Sequence, residues 1–337
     1  MIAQDARWVG DALLSASNFP ASASAVSLAL LAHSSRIVYE GGRFVRNDKT
    51  FPELTGLADL LPSEFAAVIQ RARHATKLLD DNRKSMDELG RELEAWLAVH
   101  RAEFFGNSYR LVRFLESDIG LFRSGGRLML ATLPVQFRLG AKPGIRLEGL
   151  GPFVHDLAVA HGASLRVLAA VAGDASSISP RQDYSSLGSI PGEDRRSAKY
   201  LARRYDPELP VATKLLALLI EGEVTTAHLL LPLTAVGHLD AVFRARFVSV
   251  FHSLSALQGI SSHASARSTT TVRLLSVLET GPARWMLTDR GARVACATSV
   301  FTTRFEERTS ASTGRLPCSD WCQHSPTGGA LRKSTTS

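Results

Sequence analysis

Apolar residues recur at three- and four-residue steps along most of this chain, a period that gathers them on one face of a helix. Around Trp8 to Leu14, and again through Val26, Leu30 and Leu31, the pattern predicts amphipathic helices. Phe65, Val68, Ile69 and Ala72 predict another, ended or bent by Asp80-Asp81-Asn82. Ser85 and Glu88 have capping-box spacing, in which hydroxyl and carboxylate satisfy orphan backbone N–H groups. Met86, Leu89, Leu93, Trp96 and Leu97 continue from there as a helix stopped by Gly106-Asn107. Beyond Pro207 the helical spacing returns. Leu239, Val242, Phe243, Phe247, Val250, Phe251, Leu254 and Leu257 form the longest clean apolar stripe, which predicts a helix central to a core.

Strand signals are few. Arg36-Ile37-Val38-Tyr39, Glu40-Gly41-Gly42-Arg43 and Phe44-Val45 read as a short β-hairpin, because glycine takes the positive φ of a tight turn. Arg123-Ser124-Gly125-Gly126-Arg127 is a second turn signal, with Leu128 to Leu133 as a candidate strand before Pro134. Phe153 to His161 has helical spacing, whereas Ser164 to Val171 fits a buried strand or more helix. The expected fold is therefore mainly α: a multi-helix globular protein with a minor β-hairpin or small α/β element and a disordered C-terminal tail. Its parts are a mainly helical N-terminal region with minor β (1–175), an exposed basic linker (176–206), a helical region (207–295) and a Ser/Thr-rich tail (296–337). The tail has 15 Ser or Thr and only Val300, Leu316 and Leu331 from the Leu/Ile/Val class, too little apolar surface to offset the ordering of its backbone.

Composition changes this picture in three places. A hydrophobic fraction of 45% over 337 residues supplies enough apolar surface for one large domain or two ordinary ones. The net charge of +7 admits a polyanionic partner, although the basic residues are spread along the chain and comprise 32 Arg against 7 Lys, a skew that a GC-rich genome produces by itself. No basic leader opens into an uninterrupted apolar run, and Lys214, Glu221, Glu223 and His228 interrupt Leu209 to Leu239. No membrane span is expected, that stretch reads as a buried helical hairpin, and cytoplasmic residence follows as the default. All three cysteines, Cys296, Cys318 and Cys322, fall near the C-terminus, so the body cannot depend on disulfides.

Candidate chemistry is sparse. Arg195, Arg196, Lys199, Arg203 and Arg204 form the densest basic cluster, with Tyr200 and Tyr205 beside it. They are candidate nucleic-acid contacts through phosphate pairing and stacking, weighed against an ordinary solvated charge run. Cys318 and Cys322 with His324, and Cys296 upstream, offer thiolate and imidazole ligands, but at a spacing unlike structural zinc sites, so no metal is assigned. His155-Asp156 resembles the central dyad of the HD-type phosphohydrolases, a likeness that covers two residues. It implies a divalent metal activating water, an upstream His (His33, His74 or His100) and a downstream Asp (Asp174, Asp183 or Asp240). The bland alternative is an acid favoured by a helix N-terminus. Phosphate-loop, zinc-protease and nucleophile-elbow motifs are absent, and no cofactor is implied. The expectation is a non-enzymatic helical interaction or regulatory protein with a protein partner. A basic RNA- or DNA-associated protein and a metal-dependent phosphohydrolase stand as alternatives.

Overall fold

The computed structural model describes residues 1–47, 69–70, 86–105, 116–139, 147–170, 182–188 and 190–263. Its helices are α1 (Ile2–Ala16), α2 (Pro20–Asn47), α3 (Met86–Phe104), α4 (Thr132–Leu139), α5 (Leu147–Ala170), α6 (Ser197–Arg204), α7 (Val211–Thr225) and α8 (Leu239–His263). Strands β1 (Ile119–Ser124), β2 (Arg127–Ala131) and β3 (Gly192–Arg195) form one antiparallel sheet in the order β2-β1-β3. The protein is thus mainly α with one small β element. The tail expected at 296–337, with Cys296, Cys318, Cys322 and His324, lies outside the described residues, as do 71–85 with their capping box.

The sheet stands between two apolar clusters. Leu121 and Leu128 contribute to one, with Leu89, Leu93 and Leu97 of α3 and Leu215, Leu216 and Leu218 of α7. Phe122 and Met129 pack into the other, with Trp8 and Val9 of α1, Val26, Leu30 and Val38 of α2, and Leu157, Leu165 and Leu168 of α5. Alternation along a strand sends neighbours to opposite faces, so a single hairpin can serve both clusters. Gly125 and Gly126 close that hairpin with φ of 54° and 75°, the positive pair that a two-residue turn of matching twist requires.

The hairpin expected at Arg36 to Val45 is instead helix. α2 runs unbroken for 28 residues through Gly41 and Gly42. The glycine at 41 serves packing rather than turning: a Cβ there would come within 2.5 Å of Leu168 Cδ1, so the missing side chain lets α2 approach α5. The local turn signal loses to the burial of Val26, Leu30, Ile37 and Val38 along one helix.

The exposed linker expected at 176–206 is also corrected over its described part. Gln182, Tyr184, Leu187 and Ile190 are buried, β3 pairs with β1 in the register Ile119↔Arg195 to Phe122↔Gly192, and α6 buries Ser197 and Leu201. The Tyr184 hydroxyl sits 3.0 Å from Ala12 O and 2.8 Å from Gln182 Oε1. Gln182 Nε2 donates to Thr234 O (3.3 Å), and Trp8 Nε1 donates to Thr234 Oγ1 (2.9 Å). An ion pair Arg244–Asp5 and a 2.9 Å contact between His238 Nε2 and Asp11 Oδ2 add further links from α8 and the turn before it to α1. Polar composition marked the segment as loop, but Gln182, Tyr184, Leu187, Ile190 and Leu201 find buried places.

The stretch at 209–239 is not a hairpin. α7 continues into a wider π turn (Thr226–Leu230) and a 3₁₀ turn (Leu231–Thr234). Pro232 has no N–H to bond the carbonyl four residues back, which accounts for the change of helix type ahead of it. Among the described residues Val211–Thr234 is one stretch long and apolar enough to cross a membrane, and over half of it is buried in the fold. Lys214 is buried within it and donates from Nζ to Pro207 O at 3.3 Å. The stripe on α8 divides: Val242 and Phe251 are buried, whereas Leu239, Phe243 and Val250 face outward.

Candidate functional site

Pairing of β3 with β1 brings together residues that lie some seventy positions apart in sequence. Arg123 Nε lies 3.7 Å from Glu193 Oε2, and Arg123 Nη2 donates to the Tyr200 hydroxyl at 2.9 Å, with the guanidinium carbon 5.9 Å from the Tyr200 ring centre. Arg195 forms a close ion pair with Glu193. The chain then turns into α6, whose first turn is held by Asp118 at the edge of β1. Ser197 N donates to Asp118 Oδ1 at 2.6 Å and the Ser197 hydroxyl donates to Oδ2. Asp118 thus supplies from outside the helix what a cap residue normally supplies from within, since no side chain of α6 caps it. Arg101 Nη2 donates to Ser197 Oγ at 3.2 Å, and His100 Nε2 lies 3.2 Å from Asp118 O.

With Ser197 and Leu201 turned inward, the opposite face of α6 is basic. Arg123, Arg195, Arg196, Lys199, Arg203 and Arg204 line an open groove of about 580 Å³ with Glu116, Ser117, Glu193, Asp194 and Tyr200. Six cations against three carboxylates leave this lining a formal excess of three positive charges. The cations are not equivalent. Arg204 pairs with Glu221 of α7, which also accepts from the Tyr205 hydroxyl at 3.2 Å. That carboxylate raises the Arg204 pKa by its hydrogen bond, and burial, then Glu221, raise that of Tyr205. Arg196 Nε donates to Glu116 O at 3.1 Å and its guanidinium lies over the Phe105 ring. Lys199 and Arg203 are exposed and have no acidic partner among the described residues. All five basic residues singled out in the sequence therefore meet in one groove, joined by Arg123, which sequence proximity could not supply.

The His-Asp dyad has no such company. His155 and Asp156 fall inside α5, and their side chains lie outside the described residues. Of the partners the resemblance requires, His33 is buried beside Ser249 Oγ at 3.4 Å, and His100 stacks on Trp96. Asp183 accepts from Ser185 N in a turn, and Asp240 opens α8. Among the described residues no three His, Cys, Asp or Glu gather as metal ligands. His74 and Asp174 lie outside that set.

A second polar constellation has no local sequence signal. Arg138 of α4 and Glu223 of α7 form a close, nearly buried ion pair, with side-chain exposures of 5% and 11%. His33 of α2 is nearby: burial first, then the positive charges of Arg36 and Arg138 and the neighbouring His252, hold its pKa well below the ordinary histidine value. Arg138 Nε and Glu223 Oε2 are buried without a hydrogen-bond partner among the described residues. With a neutral His33 and a paired Arg138, this region has the character of a buried structural ion pair.

Fold and site together define a class: a mainly helical protein with a small sheet that carries an open basic groove. Comparison with known protein families, with characterised proteins and with solved structures finds no match for this chain.

Proposed function

We propose that this chain is a non-enzymatic interaction protein that holds an anionic partner in the groove beside α6. One observation carries the reading: Arg196, Lys199 and Arg203 follow one another along an exposed helix face, and two of them have no acidic partner among the described residues. Exposed unpaired cations add little to stability, but they steer an anion and set its register. The groove is open, and Glu193 at its centre is paired with Arg123 and Arg195, so binding is better supported than chemistry. The phosphohydrolase reading has only its dyad behind it.

Retention of the full chain on immobilised heparin, a generic polyanion, tests this. Lys199→Glu with Arg203→Glu reverses two groove charges, and Arg166→Glu with Arg246→Glu makes the same net change at exposed sites on α5 and α8. Earlier elution in salt for the groove variant alone is expected. Equal shifts for both variants would mean that net charge, and not the groove, holds the polyanion.

A further inference from the structure

We infer that the anionic partner is an acidic polypeptide segment, bound in extended conformation alongside β3, with acidic side chains two residues apart reaching Lys199 and Arg203. This rests on the reading of the groove as a binding surface. Three features select polypeptide over nucleic acid.

Aromatic platforms are few. Sequence-tolerant binding of single strands uses successive aromatic rings on which bases stack. Tyr200 is the one aromatic residue among those lining the groove, and its hydroxyl accepts from Arg123 Nη2 at 2.9 Å.

Carboxylates interrupt the cations. Glu193 and Asp194 on β3 and Glu116 at the mouth of β1 line the same groove. A continuous phosphate backbone would pass each of them at like-charge distance. A polypeptide can place a neutral or basic residue there and an acid elsewhere, so alternating sign selects for it.

The groove is bounded by a sheet edge. Among the described residues, in the order β2-β1-β3, the strand β3 has β1 on one side only, and three of its four residues are exposed. An edge strand presents backbone N–H and C=O groups to a further strand, and addition of an extended peptide is a standard use of them. Spacing agrees. Lys199 and Arg203 are four residues apart on a helix, roughly 6 Å along its axis. Side chains i and i+2 on one face of an extended chain are roughly 6.6 Å apart. An acid-x-acid segment therefore has the spacing of the two cations, which line the same groove as β3.

The test uses the full chain and fluorescence anisotropy with four labelled decamers: an alternating Glu-Thr peptide, the same peptide N-methylated at every Glu, the same peptide N-methylated at every Thr, and oligouridylate. The alternating peptide should bind most tightly, and Lys199→Glu with Arg203→Glu should weaken it about tenfold or more, the effect of removing and reversing two exposed pairs. The milder Lys199→Gln with Arg203→Gln should fall between, with circular dichroism unchanged. N-methylation in the register that faces β3 should also weaken binding. Glu193→Gln with Asp194→Asn should improve oligouridylate binding relative to peptide. Equal binding of both N-methylation registers and the parent peptide would overturn strand addition and leave an anion groove. Tighter binding of oligouridylate, lost in the charge-reversed variant, would overturn the polypeptide and keep the groove. Binding of no probe, or binding indifferent to positions 199 and 203, would overturn both readings.

Discussion

At the scale of single residues, Asp118 has the most consequences. Its side chain is fully buried, accepts from both the backbone and hydroxyl of Ser197, and has Arg101 Nε at 3.9 Å. Asp118→Ala would leave two buried donors unpaired and a guanidinium without its acid, a loss of about 2 to 4 kcal/mol. Urea denaturation would measure it, and the groove should weaken with it, because α6 loses its anchor. Thr234→Val is expected to cost about 1 to 3 kcal/mol by orphaning the buried Trp8 Nε1 donor. A loss under a few tenths of a kcal/mol would show that Trp8 finds another acceptor. Neither role is legible locally, since Asp118 and Ser197 are 79 positions apart and Trp8 and Thr234 are 226.

Among elements, close approach is what composition hides. Gly222 puts α7 against β2 so tightly that a Cβ would lie 2.8 Å from Met129 O, a backbone atom that cannot step aside. Gly41 meets only the far end of the Leu168 side chain, which can rotate. Gly→Ala gains about 1 kcal/mol of helix propensity at either position. The overlap should exceed that gain at Gly222, for a net loss of about 1 to 2 kcal/mol, and roughly cancel it at Gly41. Thermal denaturation of the two variants side by side would check this, and a stable Gly222→Ala would mean that α7 shifts as a body. The same elements explain the errors of pattern reading. Gly41-Gly42 looks like a turn until α5 is placed beside it. The α8 stripe looks uniformly buried until α1 and α7 cover only one side of it.

For the whole molecule, pH is the informative variable. Burial lowers the His161 pKa to about 4, and burial with neighbouring positive charge lowers that of His33, against about 6.5 in the unfolded chain. A depressed folded-state pKa means that the unfolded chain takes up protons first as the pH falls. Stability is therefore full above pH 6.5 and declines as pH drops from there to about 4, by on the order of 3 kcal/mol for His161 alone. Urea midpoints across that range should show the decline. His161→Phe should flatten it, and an unchanged slope would mean that acid sensitivity arises elsewhere.

What the sequence determined by itself was the helical class and the basic cluster. Both follow from local rules: a 3.6-residue apolar period needs only neighbours in the chain to be read, and five basic residues within ten positions are visible as a run. The tertiary structure decided where the sheet forms, that the segment at 182–206 packs, and which cations share the groove. Those outcomes depend on contacts between residues tens to hundreds of positions apart. A strand such as Gly192–Arg195, with no buried hydrophobic residue of its own, exists because β1 offers it an edge. Arg123 and Lys199 share a groove because that pairing closes, and no local pattern encodes which strand a polar segment will meet.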